Sequence, residues 1–291
     1  MQFFLQVALS GIATGAIYGL IAVGYSLTFM TTKVLNFALG MWVMIGGMVT
    51  YSLVARMGLS PILALPVVMV SLFVLGVVAE RVSVYPFLRA GSDVWVMSTL
   101  AVGLLFIDFA ELIWGRSPTP VPSYVGSEPL RIGPIVMLPQ QILILGTAIL
   151  LFLLLEYFYR RTLLGKAFRA VAHSAETASL MGINSRLIQL TSYAVAAALA
   201  GLAGFMVVPL TLAEPQLGTV LGLKAFAIAI IAGLGAPGGI LLSGLAYGAL
   251  EGLISGYLNT GLRDILGFSL MILVLFIRPE GLFSKVQAER A

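Results

Sequence analysis

The sequence predicts an all-α integral membrane protein: a polytopic bundle of eight or nine transmembrane helices with a cytoplasmic loop of short helices. Three observations carry that prediction. Of 291 residues, 60% are hydrophobic and only 10% charged, with a mean hydropathy of +1.06, far from the balance of a soluble domain. Apolar runs of the length a hydrocarbon core demands, about 20 residues, recur along the chain, so residues 1–291 read as one membrane domain. The basic residues sit in short polar breaks between those runs, as membrane topology requires.

The runs place spans near 3–30, 34–55, 61–80, 94–114, 136–158, 188–211, 222–236, 238–258 and 264–279. The first lacks a basic n-region and is too long for the apolar stretch of a cleaved signal peptide, so it reads as a span. The seventh and eighth meet at Gly235-Ala236-Pro237-Gly238-Gly239. Either could be a half-helix or a re-entrant segment, and the count is therefore eight or nine. With the N-terminus outside and nine spans, 11 of the 16 Lys and Arg residues fall in inner segments, Lys285 and Arg290 among them. Arg56, Arg116, Arg131, Lys224 and Arg263 fall in outer ones, and the bias favours this orientation.

Composition closes off several functions. The net charge is +4, but it is spread through short loops and does not indicate nucleic acid. The absence of cysteine rules out disulfides and thiolate metal sites, and the single histidine, His173, cannot build a metal site alone. No nucleophile–base pair or carboxylate cluster of the kind catalysis needs is visible, so the chain does not read as an enzyme.

Two loops are long enough to carry structure. The outer one, 115–135, is dense in proline and glycine and predicts an irregular, turn-rich cap. The inner one, 159–187, predicts two short helices. Ser174 can cap the second, Glu176 sits where the helix dipole favours negative charge, and Gly182 can end it in the left-handed conformation. A helix pair too short to fold alone suggests a docking surface for another protein.

Glycines recur every four residues at Gly11, Gly15 and Gly19, and again at Gly244, Gly248, Gly252 and Gly256. Each set makes a smooth ridge for close helix approach. Ridges near both ends hint at duplication, although the halves do not align well enough to claim a repeat. Among ionisable residues inside spans, Asp108 and Glu111 share a face near Arg116 and read as part of an interfacial ion pair. Glu251, within the second ridge, reads as bonded to exposed backbone of a neighbouring span. Asn36 must face protein or a water-filled path, and a hydrogen bond to adjoining backbone serves it as well as solute contact.

The run LLGKAFRAVAHSAETASLMGINSRLIQLTSYAVAAALAGLAGF resembles the coupling segment and following helix of ABC permeases that import branched-chain amino acids. VLNFALGMWVMIGG, KAFAIAIIAGLGAPGGILLSGLAYGALEG and LFIRPEGLF agree in order and spacing, and the chain is most similar to the LivH-type subunit. The resemblance implies half of an importer's channel in a bacterial or archaeal cytoplasmic membrane, surrounded by membrane lipid. It also implies a second permease of LivM type, two cytoplasmic ABC ATPases and a periplasmic or lipid-anchored binding protein. ATP and Mg²⁺ would belong to the ATPases. This chain binds no cofactor on that reading, and it has no phosphate loop: Gly165-Lys166 is followed by Ala167, not a hydroxyl.

By the same resemblance, Gly165, Lys166, Arg169, Glu176 and Gly182 would couple to the ATPases. Asn36, Phe37, Gly235, Pro237, Gly238, Gly239 and Glu251 would line the translocation path or its gate. Leu39 stands where the family commonly has histidine, and His173 where it commonly has glutamine or glutamate. The first departure leaves open whether the solute is a branched-chain amino acid, urea, an amide or another amino or carboxylic acid. The competing class is an ion-coupled secondary transporter of small polar solutes, against which the helical loop at 159–187 argues.

Overall fold

The computed structural model describes residues 2–89, 94–132, 135–235, 237–259 and 261–283. Its helices are α1 (Gln2–Thr32), α2 (Leu39–Thr50, prolonged by a wide π turn to Arg56) and α3 (Pro61–Ala79). A second π turn, Glu80–Val84, joins α3 to α4 (Tyr85–Arg89), and then α5 (Trp95–Trp114) follows. After a two-stranded hairpin come α6 (Pro139–Arg161), α7 (Leu163–His173), α8 (Ala175–Leu180) and α9 (Ser185–Val207). The chain closes with α10 (Leu217–Ala232), α11 (Pro237–Tyr257) and α12 (Leu262–Ile277).

Among the described residues, seven helices are long and apolar enough to cross a membrane. Two of the nine expected spans, α10 and α12, are helices of only 16 residues. Each rises about 24 Å against a hydrocarbon core of about 30 Å. The shortfall has a visible cause in α10, which begins and runs inside the bundle with most of its side chains buried. Lys285 and Arg290, counted on the inner side by the charge bias, lie outside the described residues.

The start of the second span differs from the hydropathy reading for a structural reason. The second span starts at Leu39 rather than 34, because the chain leaves α1 at Lys33, at φ 57°, and returns into the bundle before α2 begins. Val34, Asn36 and Ala38 are all buried there. The chain between α9 and α10 does the same, with Ala213 buried at its centre. The two inward-leading segments close on the same bonds. Leu39 N–H donates to the Asn36 carbonyl at 3.3 Å, and Leu217 N–H to the Glu214 carbonyl at 3.2 Å. Met41 N–H donates to the Ala38 carbonyl at 3.0 Å, and Thr219 N–H to that of Gln216 at 3.1 Å.

The likeness extends to the packing. α3 lies along α9 as α11 lies along α1, and α2 crosses α9 as α10 crosses α1. At the centre, a Cβ on Gly40 would meet the Gly218 carbonyl at 2.5 Å, and one on Gly218 would meet the Gly40 carbonyl at 2.6 Å. The units α1–α2–α3 and α9–α10–α11 therefore repeat one arrangement in opposite directions, a duplication at which the sequence only hints.

The glycine ridges find each other. A Cβ on Gly11, Gly15, Gly248 or Gly252 would run into backbone of the facing helix, so α1 and α11 touch main chain to main chain. Opposite the loop helices, residues 115–129 form the expected irregular cap. Unexpectedly for an all-α reading, β1 (Leu130–Ile132) and β2 (Ile135–Met137) then pair antiparallel, so α6 begins at Pro139. Thr119 bridges Ala213. Tyr124 stacks on Phe205 at 4.5 Å and donates to its carbonyl at 2.7 Å. Burial pushes the Tyr124 hydroxyl pKa up, which keeps it a donor.

Replacing Gly248 with valine should cost about 1–3 kcal/mol or more, because a seam at backbone contact leaves no room for overpacking. Gly146, with open space around its Cβ position, should accept alanine within about 0.5 kcal/mol. Thermal unfolding in detergent reads both, and equal effects would refute the seam.

Candidate functional site

The loop between α6 and α9 folds into α7 and α8 as its capping residues dictate. The Thr162 hydroxyl accepts from Gly165 N–H at 2.9 Å, and the Ser174 hydroxyl accepts from Thr177 N–H at 3.2 Å. Gly182 takes φ 83° after α8. Lys166, Arg169, His173 and Glu176 are exposed, whereas Phe168 and Val171 are buried. Gly165 is a correction. It sets no turn and offers no contact surface, because it lies within α7 where a Cβ would run into the Phe158 and Tyr159 backbone. Its small size is what lets α7 lie against α6.

Each loop helix is tied to the bundle. Lys33 Nζ donates to the Ala172 carbonyl at 2.9 Å, joining α1 to α7. The Ser185 hydroxyl donates to the Ala175 carbonyl at 2.8 Å, joining α9 to α8. One residue on, Arg186 forms a bidentate pair with the fully buried Glu80, with Nη2 at 2.8 Å from Oε2, and lies 3.7 Å from the Tyr85 ring centre. That pair fixes the start of α9 to the π turn that ends α3.

The path residues expected from the resemblance do not gather in one place. Asn36 Oδ1 accepts from Ala38 N–H at 3.0 Å, the backbone bond anticipated for it, while its buried Nδ2 has no partner among the described residues. Phe37 packs on Phe226 with centroids 5.7 Å apart. The glycine–proline break falls between α10 and α11. Gly233, at φ 94°, ends α10, Gly235 is exposed, and Pro237 opens α11. Ala236 and the Pro237 side chain lie outside the described residues, Gly238 is exposed, and Gly239 faces the Phe283 ring. The C-terminal run clamps this turn: Leu282 N–H donates to the Ile231 carbonyl at 2.8 Å and Phe283 N–H to that of Ala232 at 3.0 Å.

The strongest electrostatic feature lies toward the other end of the bundle. Glu251, 3% exposed, does not bond to backbone as expected; it pairs with Lys224 and with Arg263 Nε at 2.6 Å. Lys224 Nζ also meets Asp264 Oδ1 at 2.7 Å. Arg263 Nη2 donates to Tyr18 Oη at 2.8 Å and to Glu251 Oε2 at 3.0 Å. Charge alone assigns Lys224 to an outer loop, and the structure corrects this, since it is a buried residue of α10. Two cations and two anions thus balance among α10, α11 and α12. A lone charge at mid-bilayer costs about 2.5–3.5 kcal/mol on insertion scales, and each here has a partner. On α5, Glu111 pairs with Arg116 at 2.6 Å as expected, and Asp108 is exposed.

Two cavities flank this network. One, of about 320 Å³, lies along the glycine seam beside Gln6, Ser10, Glu251 and Arg263. The other, of about 520 Å³, is lined by Tyr18, Glu214, Lys224, Arg263 and Asp264 together with leucines and valines.

The family model of the branched-chain amino acid transport system / permease component matches residues 7–275. The chain belongs to that family. This permease is 31% identical to the high-affinity branched-chain amino acid transport system permease protein BraD of Pseudomonas aeruginosa, over 99% of this chain and 98% of that one. It is 28% identical to the permease protein LivH of Escherichia coli K12, over the same shares. A 133-residue stretch is 35% identical to the ribose import permease protein RbsC of that strain, covering 45% of this chain and 39% of the other. No solved structure matches it. The chain is therefore a multi-pass membrane permease component and not an enzyme, and family membership gives no support to an ion-coupled carrier.

Glu251→Gln removes the anion shared by two cations, at a cost of about 3–5 kcal/mol for a broken buried pair. Asp264→Asn should cost less than about 1 kcal/mol, since that side chain is 58% exposed. Unfolding midpoints in detergent check the ranking, and the reverse order would refute the network's centre at Glu251.

Proposed function

We propose that this permease forms half of the translocation path of an ATP-driven importer for branched-chain amino acids or related small solutes. In this reading it pairs with a second, LivM-type permease and receives solute from a periplasmic or lipid-anchored binding protein. Two ABC ATPases, which hold the ATP and Mg²⁺, dock on α7 and α8. The chain is one domain in a bacterial or archaeal cytoplasmic membrane, crossing it nine times from an outer N-terminus with α10 and α12 as short crossings.

The observation that carries the reading is the pair of loop helices. They present Lys166, Arg169 and Glu176 outward at one end of the bundle, and each is bonded to a different span. A motor pulling there would move α1, α6 and α9 together. Gly182 supports the site by shaping the turn, and Gly165 by seating α7. The apolar faces of α5 and α6, mostly left unburied by the rest of the chain, remain for lipid and the second permease. Asn36 and Phe37, just before α2, and Glu251, in the charge network, border the path. The 235–239 turn acts as the inner hinge.

Arg169→Glu and Glu176→Lys, each in the reconstituted assembly with its ATPases and binding protein, should keep ATP hydrolysis but lower uptake per ATP about tenfold. That loss corresponds to about 1.4 kcal/mol of coupling. Normal uptake per ATP in both variants would remove the docking surface. Uptake driven by an ion gradient without ATP would remove the importer reading.

A further inference from the structure

A groove of about 420 Å³ runs along the flank of the bundle where α3, α6, α7 and α9 meet. Leu27 and Ile188 close its floor and are buried, while Phe73, Leu154, Leu164 and Leu187 stand exposed along its walls. Thr191 is the one polar residue on the lining, and its hydroxyl donates to the Leu187 and Ile188 carbonyls of its own helix, at 2.9 and 3.0 Å. The groove therefore offers a polar occupant no hydrogen bond, and what fills it is hydrocarbon.

Its length and position choose among hydrocarbon occupants. On α9 the lining runs from Leu187 to Val195, a rise of about 12 Å, close to one leaflet's half of a hydrocarbon core about 30 Å thick. A spanning helix would need a groove that continues into the other leaflet, whereas an acyl chain ends where this groove does. The lining begins in the first turn of α9 and the last two turns of α6, so its open end lies at the membrane's edge.

That edge carries unmatched positive charge. Arg160 pairs with Glu156 and Arg186 with the buried Glu80, so each of those cations is balanced. Arg161, the last residue of α6, is exposed and has no ion pair among the described residues. It follows Leu154 by seven positions and Phe158 by three, which puts it on their face of the helix, and its long side chain carries the charge to the groove's open end. Tyr157, exposed one turn before it, marks the level at which aromatic rings and basic side chains meet lipid headgroups.

We infer that the groove holds one acyl chain of an anionic phospholipid, with the phosphate against Arg161 and the chain between α6 and α9. Phe168 and Leu164, which belong to α7, also line it, so the lipid packs against the loop helix and joins it to the spans. A zwitterionic phospholipid fits the same groove but brings no net charge to Arg161, and basic pockets between spans select acidic headgroups for that reason. Binding does not depend on the importer reading; assignment to the cytoplasmic leaflet does.

The test is native mass spectrometry of the full chain, released from detergent micelles containing equal amounts of phosphatidylglycerol and phosphatidylcholine with the same acyl chains. The first lipid retained should be phosphatidylglycerol, favoured about fivefold, the worth of one basic residue at an anionic headgroup. Arg161→Gln should bring the two lipids to parity, whereas Arg131→Gln, at an exposed position in the opposite end's hairpin, should leave the preference intact. Leu187→Trp and Leu154→Trp fill the groove from facing walls. Each should lower retention of both lipids severalfold while the unfolding midpoint stays unchanged. Inorganic phosphate in excess should not displace the lipid. Equal retention of both lipids by the unaltered chain, a preference that survives Arg161→Gln, retention that survives both tryptophans, or displacement by phosphate alone overturns the site. Loss of the lipid when a second permease joins the chain assigns the groove to that subunit and overturns it as well.

Discussion

Main chain must touch main chain for this bundle to exist. Lipid tails are as apolar as leucine, so burying a leucine between two helices gains little over leaving it in the membrane, and close packing has to supply the association. The chain meets that condition with glycine at four of its crossings: α1 on α11, α2 on α10, α2 on α9 and α3 on α9. The remaining architecture depends on those crossings. Helices α2 and α10 can begin inside the bundle only because Gly40 and Gly218 admit each other, and the backbone groups leading into them are then answered by protein where lipid could not answer them.

The charge network is the polar counterpart of that packing. Lys224 and Glu251 are almost wholly buried, and removing either leaves the other with one counter-charge fewer, Lys224 keeping Asp264 and Glu251 keeping Arg263. Arg263 and Asp264 arrive from α12, a short and otherwise exposed helix, so electrostatic pairing contributes to fastening it. At the opposite end the bidentate Arg186–Glu80 pair plays the same part for α9 and α3. The bundle is therefore joined by glycine contacts along its length and by ion pairs near its two ends.

Much of the architecture is legible in the sequence because hydropathy reports on solvent, and solvent is what a membrane protein must match. All nine apolar runs correspond to helices. The errors cluster where burial and helicity part company. Val34 to Ala38 is as apolar as a span but is not helical, and hydropathy does not separate the two. Lys224 is misplaced when a charge is taken to mean a loop, although an opposite charge at Glu251 in the next run is a usable signal for pairing. Glu251 itself reads as bonding backbone because its partners come from other helices, beyond any local window. Ser174 and Gly182 are legible since a cap and a left-handed glycine act on their own neighbours. Gly165 is not, because a glycine kept for a contact outside its own helix looks the same in sequence as one kept for a turn.

The opposed copies α1–α2–α3 and α9–α10–α11 carry a consequence for motion. Were the copies identical, letting each adopt the other's shape would regenerate the molecule turned over in the bilayer, at the same energy. Here they differ: Lys224 and Glu251 both belong to the second copy, while the Glu80–Arg186 pair ties one copy to the other, so the molecule is not its own image and the two shapes are unequal in energy. The glycine crossings are common to the two copies, and these ion pairs are not.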